Sequence, residues 1–84
     1  MWKVYILKCA DKTLYCGITT DVERRVEEHN SSDLGAKYTS GRRPVKLVYV
    51  GEFENRSEAT REERRIKRLP KAEKLDMIKK CDII

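Results

Sequence analysis

The sequence predicts an α/β fold of the α+β kind: a three-stranded antiparallel sheet flanked by helices, in one domain spanning residues 1–84. Three observations carry this. Residues 2–9 and 14–18 are short runs rich in β-branched and aromatic side chains, joined by the polar link Ala10-Asp11-Lys12-Thr13, which is the pattern of an antiparallel hairpin. A third such run begins at Pro44-Val45 and continues to about Phe53. Between and after these runs, apolar residues recur at helical spacing behind capping signatures.

In the first strand, alternation sets Tyr5 and Leu7 on one face and Val4 and Ile6 on the other. In the second, Tyr15 and Gly17 share a face opposite Leu14, Cys16 and Ile18. Apolar groups on both faces require helices to cover much of the sheet. Gly17 offers nothing to pack, and a glycine inside a strand marks the close approach of a ligand or another part of the chain.

Thr20-Asp21-Val22-Glu23 reads as a capping box that starts a helix over 21–30. At about 100° per residue, Val22, Val26, Arg25 and His29 share one sector, with Glu23, Arg24, Glu27 and Glu28 opposite. The apolar stripe is therefore completed by an arginine and a histidine. A histidine there can be a hydrogen-bonded core residue. An inward arginine needs an anionic partner, either a protein carboxylate or a bound phosphate, because burying it unpaired is costly.

Residues 31–44 have the Gly, Ser, Asp and Pro density of a loop and contain Lys37, Tyr38, Arg42 and Arg43. Basic groups with an interleaved aromatic suit phosphate contact and base stacking. A second helix opens at Asn55, its N-cap, with Glu58 three residues on, and ends before Pro70. Ala59, Ile66 and Leu69 mark its inner side, and Glu62 and Glu63 lie near it, Glu62 closer to the centre. Arg61, Arg64, Arg65 and Arg68 face outward. Pro70 suits the first position of a last helix carrying Ala72, Leu75 and Ile78.

Composition narrows the function. Charged residues make up 39% of the chain and the net charge is +5, with a pI of about 9.2 and a mean hydropathy of −0.71. That balance points to a polyanionic partner such as nucleic acid. The three cysteines, with no C-x-x-C pair, indicate neither a disulfide framework nor a zinc site, and fit free thiols in a reducing cytoplasm. No run is long enough to span a membrane, and no signal-peptide pattern opens the chain.

Taken together, Lys3-Val4-Tyr5, Tyr15-Cys16-Gly17, Asp21-Val22-Glu23-Arg24-Arg25-Val26 with His29, and Ser57-Glu58-Ala59 with Glu63 and Ile66-Lys67 resemble the GIY-YIG nuclease family over residues 3 to about 69. The small stand-alone bacterial members are most similar, in the runs His29-Asn30, Ala36–Thr39 and Arg42–Val45. Lys3 stands in place of the first motif's glycine, and Cys16 in place of an aliphatic residue in the second. The resemblance implies a phosphodiester-cleaving domain that uses one divalent metal, Mg²⁺ or another divalent cation. It implies Tyr15 as general base, Tyr5 as the group positioning water, and Arg25 as the stabiliser of transition-state charge. His29 would assist proton transfer or bind phosphate, and Glu63 would be the metal ligand. Glu63 is favoured over Glu62 by the family spacing alone. These five side chains are expected on one surface, with Lys37, Tyr38, Arg42 and Arg43 contacting nucleic acid, DNA being the first expectation. Affinity and sequence specificity are expected to be low unless a protein partner supplies them. Two other readings remain: a nucleic-acid-binding protein that keeps the fold without catalysis, and an adaptor for an acidic protein.

Overall fold

The computed structural model describes residues 1–31 and 41–81. Strands β1 (Trp2–Lys8), β2 (Leu14–Thr19) and β3 (Lys46–Phe53) form one antiparallel sheet in the order β2-β1-β3. Helix α1 (Val22–Ser31) lies between β2 and β3 in the chain, and α2 (Arg56–Lys67) and α3 (Lys71–Lys80) follow β3. This is the predicted α+β architecture.

Strand β1 is central, which is why Val4, Tyr5, Ile6 and Leu7 are all buried. Its two faces serve different cores. Val4 and Ile6 pack with Cys16, Val48, Ala59 and Ile66 beneath α2. Tyr5 and Leu7 pack with Cys9 and Val45, bordered by Tyr15, Val26, Leu47 and Val50, on the α1 side. The sheet therefore separates an apolar layer under α2 from a layer that contains the tyrosines.

A shift of register sharpens this division. Ile6 pairs with Tyr49 but Leu7 pairs with Leu47, so Val48 is an extra residue. Such a bulge breaks the alternation of side chains. Val48 and Tyr49 both turn to the α2 layer, while Leu47 and Val50 serve the α1 layer.

Local chemistry fixes the ends of the elements. The β1–β2 turn is closed by Asp11, whose Oδ1 accepts the Thr13 amide at 3.1 Å and the Thr13 hydroxyl at 2.6 Å. Asn55 caps α2 as expected, accepting the Glu58 amide at 2.9 Å. The start of α1 differs from expectation by one residue. Asp21 is the N-cap and accepts the Arg24 amide at 3.1 Å, while Thr19 Oγ1 accepts the Asp21 amide at 3.1 Å. An aspartate outranks threonine as an N-cap, so Asp21 prevails over Thr20. Pro70 likewise stands at the N-cap of α3, not at its first helical position.

Asn30 ties α1 to the start of β3. Its Nδ2 donates to the Val45 carbonyl at 3.0 Å, and its Oδ1 accepts the Val45 amide at 2.7 Å. Arg43 adds a second link, its Nε donating to the His29 carbonyl at 2.7 Å. All three cysteines are free thiols, Cys9 and Cys16 buried and Cys81 half-buried. Among the described residues no helix is long and apolar enough to cross a membrane.

Candidate active site on the tyrosine face

Tyr5 and Gly17 are cross-strand partners, and so are Leu7 and Tyr15. The Tyr5 ring lies over Gly17: a Cβ built there would stand 2.6 Å from the Tyr5 hydroxyl oxygen and 2.8 Å from Cζ. The close approach expected at this glycine is thus made by a phenol of the neighbouring strand. A side chain at position 17 would displace that phenol.

Helix α1 delivers His29 to the same point. The Tyr5 hydroxyl and His29 Nε2 are 3.0 Å apart. The ring centroids of Tyr5 and Tyr15 lie 6.4 Å apart, those of Tyr5 and His29 6.0 Å, and those of Tyr15 and His29 5.1 Å. The three rings form one tilted cluster with His29 fully buried. Arg25 stands one turn earlier on α1, near enough for its charge to act on both the Tyr5 phenol and His29. The wheel reading that turns Arg25 and His29 towards the sheet is what the fold shows.

Electrostatics assigns protons within the cluster. Burial is the main cause that pushes the Tyr5 phenol up to about 12, against a lowering contribution from Arg25. Burial, followed by the positive charge of Arg25, brings His29 down to about 4. At neutral pH Tyr5 is a phenol and His29 a neutral imidazole. The Tyr5 proton can then be donated to an unprotonated Nε2.

The sign of the His29 shift carries a prediction. Arg25 and Arg43 disfavour its charged form and Glu28 favours it, the cations prevailing with burial. The unfolded chain binds the proton near pH 6.5 and the folded chain only near 4, so stability should be lost as pH falls through that window, by up to about 1.4 kcal/mol per pH unit from this group. Denaturant unfolding of wild type and His29→Gln from pH 7 to pH 4 checks this. The variant should lack that component, and parallel profiles would remove His29 as its source.

Arg25 also has a carboxylate partner that the wheel sets on the opposite side. Its Nη1 donates to Glu28 Oε1 at 3.0 Å, in a pair whose side chains are 26% and 20% exposed. Arg24 lies 3.9 Å from the same carboxylate. The i, i+3 spacing is the available signal for this pair.

Glu63 is placed differently. It belongs to α2, on the other layer of the sheet. It pairs with Lys67 at 3.3 Å, and it is the strongest charged influence, after burial, on the raised Cys16 thiol. The structure thus brings Tyr5, Tyr15, Arg25 and His29 together, and sets Glu63 beside Cys16 of the edge strand β2. Glu62 is held by Arg65 through two hydrogen bonds of 2.6 and 2.7 Å and acts on Tyr49 of β3. Both carboxylates act on Cys16 of β2, Glu63 the more strongly.

The basic loop is only partly within the described residues. Lys37 and Tyr38 lie outside them. Arg42 pairs with Asp11 at 2.9 Å, and its carbonyl accepts the Ala10 amide at 2.9 Å. Arg43 holds the end of α1. Both arginines therefore have structural contacts that the composition of the loop does not signal.

Comparison with known proteins shows the family and the fold. The family described as the GIY-YIG catalytic domain matches residues 1–76. A UPF0213 protein of Syntrophus aciditrophicus is 53% identical over 76 residues, covering 90% of this chain and 87% of that protein. One from Halobacterium salinarum is 55% identical over 74 residues, covering 88% and 95%. The solution NMR structure of a UPF0213 protein from Bacillus halodurans is similar at 44% identity and a TM-score of 0.60, covering 94% of this chain and 84% of that one.

Proposed function

Because this chain belongs to the GIY-YIG catalytic-domain family, a nuclease-type family, we propose that it is a divalent-metal-dependent endonuclease that hydrolyses phosphodiester bonds in DNA. The observation that carries the reading is the cluster of two tyrosines, a neutral histidine and an arginine, built over a glycine where no side chain fits.

Each residue has a role its chemistry allows. Tyr5, a phenol at neutral pH, holds a fixed hydrogen bond and orients water, and so leaves Tyr15 as the base that takes the proton of the attacking water. Arg25 grips the non-bridging phosphate oxygens in a forked contact. His29, neutral at the working pH, fixes the Tyr5 hydroxyl and can receive a proton. It is poorly suited to bind phosphate by charge.

The donor set fits one kind of metal. Among the described residues no group of three or more His, Cys, Asp or Glu side chains could hold an ion. Mg²⁺ keeps most of its water and is served by one carboxylate, which Glu63 would provide. Bound there, it would neutralise charge developing on the phosphate. Glu63 and the tyrosines could serve one phosphate only across the edge of β2.

That separation favours a second reading, a nucleic-acid-binding protein without catalysis. The two readings divide over metal: a nuclease needs Mg²⁺ and Glu63, and a binder is indifferent to both. The test is the nicking of supercoiled DNA with and without Mg²⁺. We place the protein in the cytoplasm, where its three thiols stay reduced, with nucleic acid as its partner.

A further inference from the structure

We propose that the outer face of α2 is a second nucleic-acid contact surface, in which Arg61, Arg64 and Arg68 grip the phosphate backbone of a duplex on the layer opposite the tyrosines. The proposal deepens the nuclease reading and rests on it for the identity of the partner.

Five arginines border an open groove of about 1010 Å³ along α2, together with the hydroxyls of Ser57 and Thr60. Two of the five are accounted for within the chain. Arg65 is held by Glu62 through two hydrogen bonds, and Arg56 lies over the Trp2 ring, 5.5 Å from its centroid. Arg61, Arg64 and Arg68 are exposed. Among the described residues no ion pair engages any of them.

Their spacing makes that informative. Arg61 and Arg64 are three apart, Arg64 and Arg68 four apart, so all three project from one side of the helix. Arg61 also stands four before Arg65. Like charges at these spacings oppose helix formation, and Arg64 has no acidic residue three or four positions away on either side. A solvated helix face commonly alternates its charges. This one gathers cations: Glu58 stands three residues before Arg61, and Arg68, like Arg64, has no acidic neighbour at these spacings.

An extended polyanion answers that need. At 1.5 Å per residue the three arginines span roughly 10 Å of helix axis. A duplex presents one negative charge about every 1.7 Å of its own axis, so several phosphates face that span. Guanidinium groups contact phosphate in pairs of parallel hydrogen bonds, and Ser57 and Thr60 can donate further ones. The surface lies on the layer away from the tyrosine cluster, on the same helix as Glu63, and its arginines contribute affinity by gripping phosphates.

The test is fluorescence anisotropy of a short labelled DNA duplex in EDTA, where cleavage cannot intervene, across a series of salt concentrations. Arg61→Gln/Arg64→Gln/Arg68→Gln should bind at least about tenfold more weakly at low salt, with the slope of log K against log salt smaller by about 2.7, or some 0.9 for each phosphate no longer neutralised. Its Tm should match or exceed wild type, since glutamine is a good helix former and the like-charge repulsion along the helix is relieved. If the triple variant fails to fold, Arg64→Gln alone should lower the slope by about 0.9. Unchanged affinity and slope would overturn the proposal, as would wild-type protein that binds anionic lipid vesicles and not DNA. Absence of nicking by wild type with this binding intact would instead sink the nuclease reading and leave the surface standing.

Discussion

Arg25→Ala is expected to abolish detectable Mg²⁺-dependent nicking while leaving Tm within a few degrees of wild type. The Arg25 guanidinium pairs with Glu28 at 3.0 Å, and both side chains of that pair retain some exposure, 26% and 20%. Removing one partner of a fully buried pair costs several kcal/mol, but here water can reach the carboxylate left behind. Exposed pairs contribute about 0–1 kcal/mol, and this one lies nearer that limit. The rate should respond far more. Loss of one donor to a developing oxyanion commonly costs on the order of 100-fold or more. Arg25→Lys should restore only part, because a point charge cannot reproduce the forked contact. Melting curves set beside nicking rates for the three proteins decide the matter. A large loss of stability, or undiminished cleavage, would reject this role.

Gly17→Ala should damage both stability and activity. Alanine ordinarily gains about 0.5–1 kcal/mol over glycine inside a strand, so a mild stabilisation is the expectation without a steric obstacle. The obstacle is the Tyr5 ring, 2.6 and 2.8 Å from the new methyl carbon. That ring is buried and its hydroxyl is tied to His29 at 3.0 Å. Overpacking of this kind costs about 1–3 kcal/mol, which exceeds the backbone gain and lowers Tm by on the order of 10 °C for a domain of this size. Nicking should fall with it, because the phenol that must move is the one bonded to His29. In Tyr5→Phe the nearest clashing atom is gone, so the same substitution should cost less there, and a double-mutant cycle measures the coupling. Equal cost in both backgrounds would show that the strain lies elsewhere.

The faces of β1 and β2 are legible in the sequence because alternation in a strand leaves one choice of register. The inward turn of Arg25 and His29 is legible because only two valines complete the apolar stripe of α1. The position of Glu63 is harder to read. A helical wheel tells which side of α2 meets the sheet, but not which face of the sheet α2 covers. Glu28 escapes because a wheel projects backbone positions, whereas a glutamate side chain is long enough to lean back to Arg25. Arg42 and Arg43 read as loop cations. Their partners, Asp11 and the His29 carbonyl, are 31 and 14 residues away, and no local pattern encodes contacts at that range. The bulge at Val48 also leaves no mark, since Leu47-Val48-Tyr49-Val50 is apolar throughout.

The most direct measurement is the conversion of supercoiled plasmid to nicked circles by wild type and Glu63→Ala, each in Mg²⁺ and in EDTA, with binding to the same DNA followed in parallel. A metal-dependent nuclease predicts nicking by wild type in Mg²⁺ only, its loss in Glu63→Ala, and DNA binding retained by both proteins. Nicking that survives EDTA or the loss of Glu63, or wild-type protein that binds DNA and never cuts it with any divalent cation, would contradict it.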